Sequence, residues 1–135
     1  MYKNILVPVL FDQDHPLSTS FEVARAVADK DARFTVLNVL EAIPAFAAAE
    51  LPAGTLEAQK EAAKGAVEEA AAGLPNAQGV VKAGHAGRAI VDYATAQASD
   101  SIIIASHKPG LEDYFLGSTA ARVVRHAPCA VHVIR

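Results

Sequence analysis

The sequence predicts an α/β domain: a doubly wound parallel sheet with helices on both faces. Two observations carry this. Short apolar, β-branched runs alternate with stretches of helical period along all 135 residues. The runs themselves, "NILVPV" at 4–9 and "SIIIAS" at 101–106, have no polar side to offer water, so both their faces need cover.

Each element follows from its residues. "NILVPV" is the first strand. Asp14 and Pro16 offer a helix start, and Leu17, Phe21, Ala24 and Ala28 repeat as the stripe of an amphipathic helix. "RFTVLNVL" (33–40) is the second strand. Residues 41–54 are interrupted by Pro and are unusually apolar for a connection, with Phe46, Leu51 and several alanines. That segment is expected to cover a ligand or meet a partner.

From Thr55 to Ala72 the chain is rich in Ala, Glu and Lys, which favour helix. Leu56, Ala63, Val67 and Ala70 form its apolar stripe, and Gly73 is its stop. "GVVKA" (79–83) is the third strand. Residues 87–98 form a helix with Ile90, Ala94 and Ala98 toward the core. After "SIIIAS", the fourth strand, a last helix spans 117–126 and ends before Pro128. "CAVHVIR" (129–135) is the fifth strand.

Composition narrows the function. Apolar residues make up 52% and charged residues 20%, as in a compact soluble protein. A formal charge of −3 argues against nucleic-acid binding, which needs a concentrated basic face. No run approaches a membrane span, so no membrane insertion is expected. The single cysteine, Cys129, permits no internal disulfide, and a cytoplasmic location is expected. Cys129 itself reads as a small core residue.

Parallel sheets bind ligands beyond the carboxyl ends of their strands, where the winding direction reverses. The exits "PVLFDQD", "NVLEA" and "ASHKPG" therefore matter most. At the last of these, Gly110 permits a tight turn and Gly117 a close approach of backbone to ligand. Ser118 and Thr119 add hydroxyls at a helix start, a setting suited to phosphate. Ser118 acting only as the cap of its own helix fits the spacing equally well.

The histidines show no H-E-x-x-H or paired-Cys spacing, so no metal site is expected. There is no G-x-x-x-x-G-K-[ST] and no G-x-S-x-G. P-loop chemistry and a hydrolase triad are both disfavoured.

Along its whole length the chain resembles the universal stress protein family. "KNILVPV" looks like the family's opening strand and "AGHAGRAIVDYA" like its third-helix entry. The most specific part is "IIIASHKPGLEDYFLGSTAARVVRHAPCAVHVIR", similar to the family's strand, glycine loop, "GS" helix start and closing strand. The resemblance implies one universal stress protein domain over 1–135. It also implies a five-stranded sheet of order 3-2-1-4-5, the adenine nucleotide alpha hydrolase-like arrangement.

Many members bind ATP through G-x-x-G-x₉-G-[ST]. Here Ala105 and Lys108 replace the first two glycines, the loop is one residue shorter, and Gly117-Ser118 is intact. This resembles a subset with an "ASHRP…LLGS" loop, whose members are expected to keep the nucleotide site. Leu10 stands where the family often has a nucleoside-contacting Asp, with Asp12 two residues on.

By resemblance, Pro8 and Val9 line the adenine side, and Val39 meets the adenine edge through its backbone. Gly84 sits beside the ribose, with Asp12 as the substitute nucleoside contact. Ser106, His107 and Lys108 curl around the phosphates, opposite Gly117, Ser118 and Thr119. The implied ligand is ATP, with or without Mg. The implied assembly is a homodimer through the last strand, with a regulatory protein as partner. The expected role is a stress-response binding module rather than a dedicated catalyst. The alternatives are a dimeric interaction module without nucleotide and a slow ATPase or autophosphorylating switch.

Overall fold

Ile5, Leu6 and Val7 follow one another in β1 (Tyr2–Pro8), and all three are fully buried, as a strand covered on both faces demands. The computed structural model describes residues 1–11, 17–106 and 116–135. Its chain continues as α1 (Leu17–Val27), β2 (Ala28–Leu40), α2 (Ala45–Ala48), α3 (Thr55–Ala71) and β3 (Ala77–Ala83). It ends with α4 (Ala86–Ala96), β4 (Ser101–Ala105), α5 (Ser118–His126) and β5 (Ala130–Ile134).

The strands form one all-parallel sheet of order β3-β2-β1-β4-β5, as expected. Winding runs outward from β1 to β3, then reverses to β4 and β5. The reversal lies between β1 and β4.

Alternate strand residues feed two cores. Ile5, Val7, Phe34, Val36 and Ile103 meet Phe21 and Ala24 of α1 and Val67 and Ala71 of α3. On the other face Leu6, Leu37, Ile102 and Ile104 meet Ile90 and Ala94 of α4 and Ala120 and Val123 of α5. Gly79 has a steric reason to be glycine. A Cβ there would lie 2.6 Å from the backbone C and O of Val67, so α3 sits directly on β3.

The amino ends of the two central strands are laced together. Asp100 accepts the N–H of Lys3 at 2.8 Å and of Asn4 at 3.0 Å, and its own N–H donates to Asn4 O at 2.9 Å. Asn4 Nδ2 donates to the carbonyls of Gln97 at 2.7 Å and Ala98 at 3.2 Å, where α4 ends.

Several expectations from the sequence need correction. Ala28 opens β2, pairing with Tyr2, and is not a helix residue; no Gly or Pro marks the junction. Ala98 is exposed and lies beyond α4 at φ 55, so it does not face the core. Leu56 is exposed, Ala70 is half-buried, and Ala71 takes the stripe position beside Val67. The connection 41–54 holds the short helix α2, whose Phe46 is 78% exposed. The proposed start of the first helix at Asp14 and Pro16 lies outside the described residues.

Candidate functional site at the carboxyl ends of the strands

The exits of β1 and β2 are fastened to each other. Val9 N–H donates to Leu37 O at 2.8 Å, and Val9 O accepts from Asn38 Nδ2 at 2.9 Å. Asn38 is itself buried, so this amide bond is made away from water. An amide between Leu37 and Val39, in the apolar end of β2, thereby helps fix how the chain leaves β1.

A second fastening joins β4 to α5. Ser106 N–H donates to Ile134 O of β5 at 2.7 Å, and Ser106 Oγ accepts the Gly117 N–H at 2.8 Å. Gly117 occupies the cap position of α5 and has no side chain to satisfy the first-turn N–H groups. Ser118 is the first helical residue and is exposed, which disposes of its reading as the helix cap.

Gly117 has an ordinary φ of −57, and among the described residues a Cβ would meet only Ser106 Oγ, at 3.5 Å. Neither backbone strain nor packing among the described residues requires glycine there. Gly84 differs. Its φ of +136 is one that side-chain-bearing residues rarely adopt, and its N–H donates to Leu40 O at 2.9 Å. Turn geometry alone accounts for Gly84.

Between these fastenings lies a cavity of about 260 Å³. Pro8, Val9 and Leu10 wall it from β1, Leu37 and Val39 from β2, Ile104 and Ala105 from β4. Leu17 and Ser20 of α1, Ala86 and Ile90 of α4, and Thr119 of α5 complete the described wall with Glu41. The lining is mostly aliphatic, and Glu41 is its one charged group among the described residues. Ala86 N–H, at the start of α4, donates to Glu41 Oε1 at 3.2 Å. Also at that helix start, His85 Nδ1 accepts the Arg88 N–H at 3.4 Å.

This is the position at which open parallel sheets take their ligands. Its two ends differ electrically. The amino ends of α4 and α5 both carry the partial positive charge of a helix dipole, and Glu41 sets a negative charge against that of α4.

The profile of the universal stress protein family matches residues 1–135, the whole chain. The chain belongs to the universal stress protein family. A universal stress protein of Staphylococcus epidermidis is 34% identical over 143 residues, spanning 99% of this chain and 84% of that one. Among solved structures, the universal stress protein UspA from Lactobacillus plantarum superposes with a TM-score of 0.79 at 30% identity, covering 99% of this chain and 98% of its own. Two more distant neighbours share the fold, each at a TM-score of 0.65. They are the Archaeoglobus fulgidus protein in complex with dAMP, 21% identical, and an Arabidopsis thaliana family protein with AMP bound, 17% identical. Coverage is 99% of this chain and 98% of the first, and 98% of this chain and 90% of the second.

In this universal stress protein, four of the residues singled out in the sequence line one cavity: Pro8, Val9, Val39 and Thr119. Ser106 and Gly117 meet each other across the β4–α5 junction. Gly84 and Ser118 stand outside the described wall. Asp12, His107 and Lys108 lie outside the described residues. Sequence reasoning missed Asn38 and Glu41. For both, the available signal was a polar residue at a strand exit already marked as a ligand-binding end.

Proposed function

We propose that this universal stress protein binds an adenine nucleotide in the cavity at the carboxyl ends of β1, β2 and β4. One observation carries this reading. An aliphatic cavity lies beside the sheet's reversal point, with the amino end of α5 at one side and a glycine there that packing among the described residues does not require. A volume of about 260 Å³ approaches the small end of ligand pockets, roughly 300 Å³. That suits a base and sugar inside, with phosphates extending past Thr119 toward Gly117 and Ser118. The named complexes of relatives with AMP and dAMP support the choice of nucleotide.

The ligand proposed is ATP, with Mg as its counter-ion, and the activity is binding in a cytoplasmic stress response. Asp12, His107 and Lys108 are proposed as further contacts, and Gly84 as the ribose neighbour. A homodimer would form through β5, an edge strand paired only with β4 in the sheet order. A regulatory protein would read the bound state. Mass analysis of small molecules released on denaturing the purified protein, followed by calorimetric titration with ATP, tests the site. Absence of both released nucleotide and titratable binding would end this reading.

A dimeric interaction module without nucleotide is the second reading. Leu10 of the cavity wall, Phe11 next to it in the chain, and Phe46 on α2 are all exposed. Limited proteolysis of residues 41–54 with and without ATP separates the two. Protection by ATP marks the segment as a cover of the nucleotide site, and unchanged cleavage leaves the interaction reading in place.

A further inference from the structure

We propose that the protein carries a second binding site, at the amino ends of the strands, and that its ligand is a small polar α-amino acid in its zwitterionic form. The site is independent of nucleotide binding. A cavity of about 180 Å³ opens there, at the end of the sheet opposite the strand exits. Asn4 of β1, Arg33 and Thr35 of β2, and Gln78 of β3 line it with Asn76 and with Gln97, the residue after α4.

The polar lining follows from where α4 stops. Leu6, Leu37 and Val80 pack in the core beneath α4 and α5. Two residues earlier, on the same face of each strand, stand Asn4, Thr35 and Gln78, with Arg33 two before Thr35. α4 ends at Ala96, so this stretch of sheet meets the end of the helix instead of its apolar side. Phe34 and Ala77, the apolar residues of the lining, belong to the core on the other face.

The cavity has two electrical sides. Arg33 is its one charged residue, and the guanidinium has no hydrogen-bond or ion-pair partner among the described residues. Asn4 is its register partner on β1, roughly 5 Å away across the sheet. Asn4 Nδ2 donates to the carbonyls of Gln97 and Ala98, which leaves Oδ1 as the free, accepting end of the amide. On that side the carboxyl end of α4 adds the partial negative charge of its dipole, and Asp100, bound to the Asn4 N–H, adds a full one.

A bare anion is drawn to Arg33 and repelled by the β1 side, and a bare cation meets the reverse. A zwitterion satisfies both. Its carboxylate takes two N–H groups of the guanidinium, and its ammonium faces Asn4 Oδ1. The volume is well under the roughly 300 Å³ of pockets for larger organic ligands, so the molecule is small. The Thr35 hydroxyl and the Gln78 and Gln97 amides favour a polar side chain on it.

Amide chemical-shift titration of the isotope-labelled protein with glycine, L-serine, L-asparagine and L-glutamine tests this. At least one should give saturable shifts centred on Asn4, Arg33, Thr35, Gln78 and Gln97. Two analogues of the tightest binder follow, one with a hydroxyl for its ammonium and one with a hydrogen for its carboxylate (glycerate and ethanolamine for serine). Each should bind about tenfold or more weakly, as expected on losing a hydrogen bond to a charged group. Arg33→Gln, at an exposed side chain, should weaken the amino acid by a similar factor. Arg33→Lys keeps the charge without the fork and should fall between. ATP affinity should be the same in all three proteins.

No saturable shift with any of the four amino acids, or shifts centred elsewhere, overturns the proposal and leaves nucleotide binding standing. Undiminished binding by Arg33→Gln does the same. An analogue lacking either charged group that binds as tightly as the amino acid reduces the cavity to a site for a single ion and overturns the zwitterion.

Discussion

Asn38 donates its side-chain amide to the carbonyl of Val9 at 2.9 Å, and this buried bond joins the two strand exits that wall the cavity. In Asn38→Ala the Val9 carbonyl loses its side-chain partner. A cost of about 1–3 kcal/mol is expected, read as a lower urea midpoint with an unchanged slope. Nucleotide affinity should fall as well, because Val9 would be held only by its N–H bond to Leu37 O.

Gly117 separates fold from ligand. Its backbone is ordinary and a Cβ meets Ser106 Oγ at a contact distance of 3.5 Å. Gly117→Ala should therefore melt like the wild type, and Gly117→Val nearly so. If the backbone reaches a phosphate, both should lose nucleotide affinity, the valine more. Calorimetry beside a thermal scan checks this, and wild-type binding by Gly117→Val would reduce the junction to a turn.

Ser101 is fully buried, and its hydroxyl has no hydrogen-bond partner among the described residues. Ser101→Ala removes that unsatisfied group with little loss of volume. A gain of up to about 1–2 kcal/mol is expected in chemical denaturation. A loss of stability would reveal a partner for the hydroxyl.

Ala98 follows α4 at φ 55, and the next N–H, of Ser99, donates to Ala94 O at 2.9 Å. A residue with a Cβ pays roughly 1–2 kcal/mol for that conformation. Ala98→Gly should recover part of this, raising the melting temperature without altering nucleotide binding.

The Cys129 thiol is held above its ordinary pKa, first by burial and then by the charge of Asp100. The thiolate is the reactive form, so its fraction at pH 8 is reduced. Alkylation of the native protein at pH 8 should be slower than in urea, and its rate should still be rising at pH 9. Native and unfolded rates that agree would remove this account.

The fold was legible because its signals are local and repeated. Ile5–Val7 and Ile102–Ile104 need cover on both faces, and the helices between strands dictate parallel pairing. The strand order came with the family resemblance; periodicity does not specify it. Misreadings fell where the local pattern was satisfied by the wrong structure. Ala28 continues the α1 stripe by spacing, yet α1 passes directly into β2 at that residue. Ala98 is apolar and in phase with Ile90, but backbone conformation carries it out of the helix.

The site was half legible. Pro8, Val9, Val39 and Thr119 were found because they lie at strand exits and a helix start. Asn38 and Glu41 were not, because their partners are Val9 and Ala86, 29 and 45 residues away. A polar side chain's use depends on such distant partners.

The lacing of Asn4 to Asp100 governs what can happen while the chain is being made. β1 leaves the ribosome well before its neighbour in the middle of the sheet, β4, which begins only at Ser101. Until then β2 can pair with one edge of β1, while the backbone of the other edge, along Ile5 and Leu6, stays open. An open apolar edge recruits other strands. Between the synthesis of β2 and that of β4 the nascent chain thus carries an open apolar strand, a period in which a chaperone would have its greatest effect on yield.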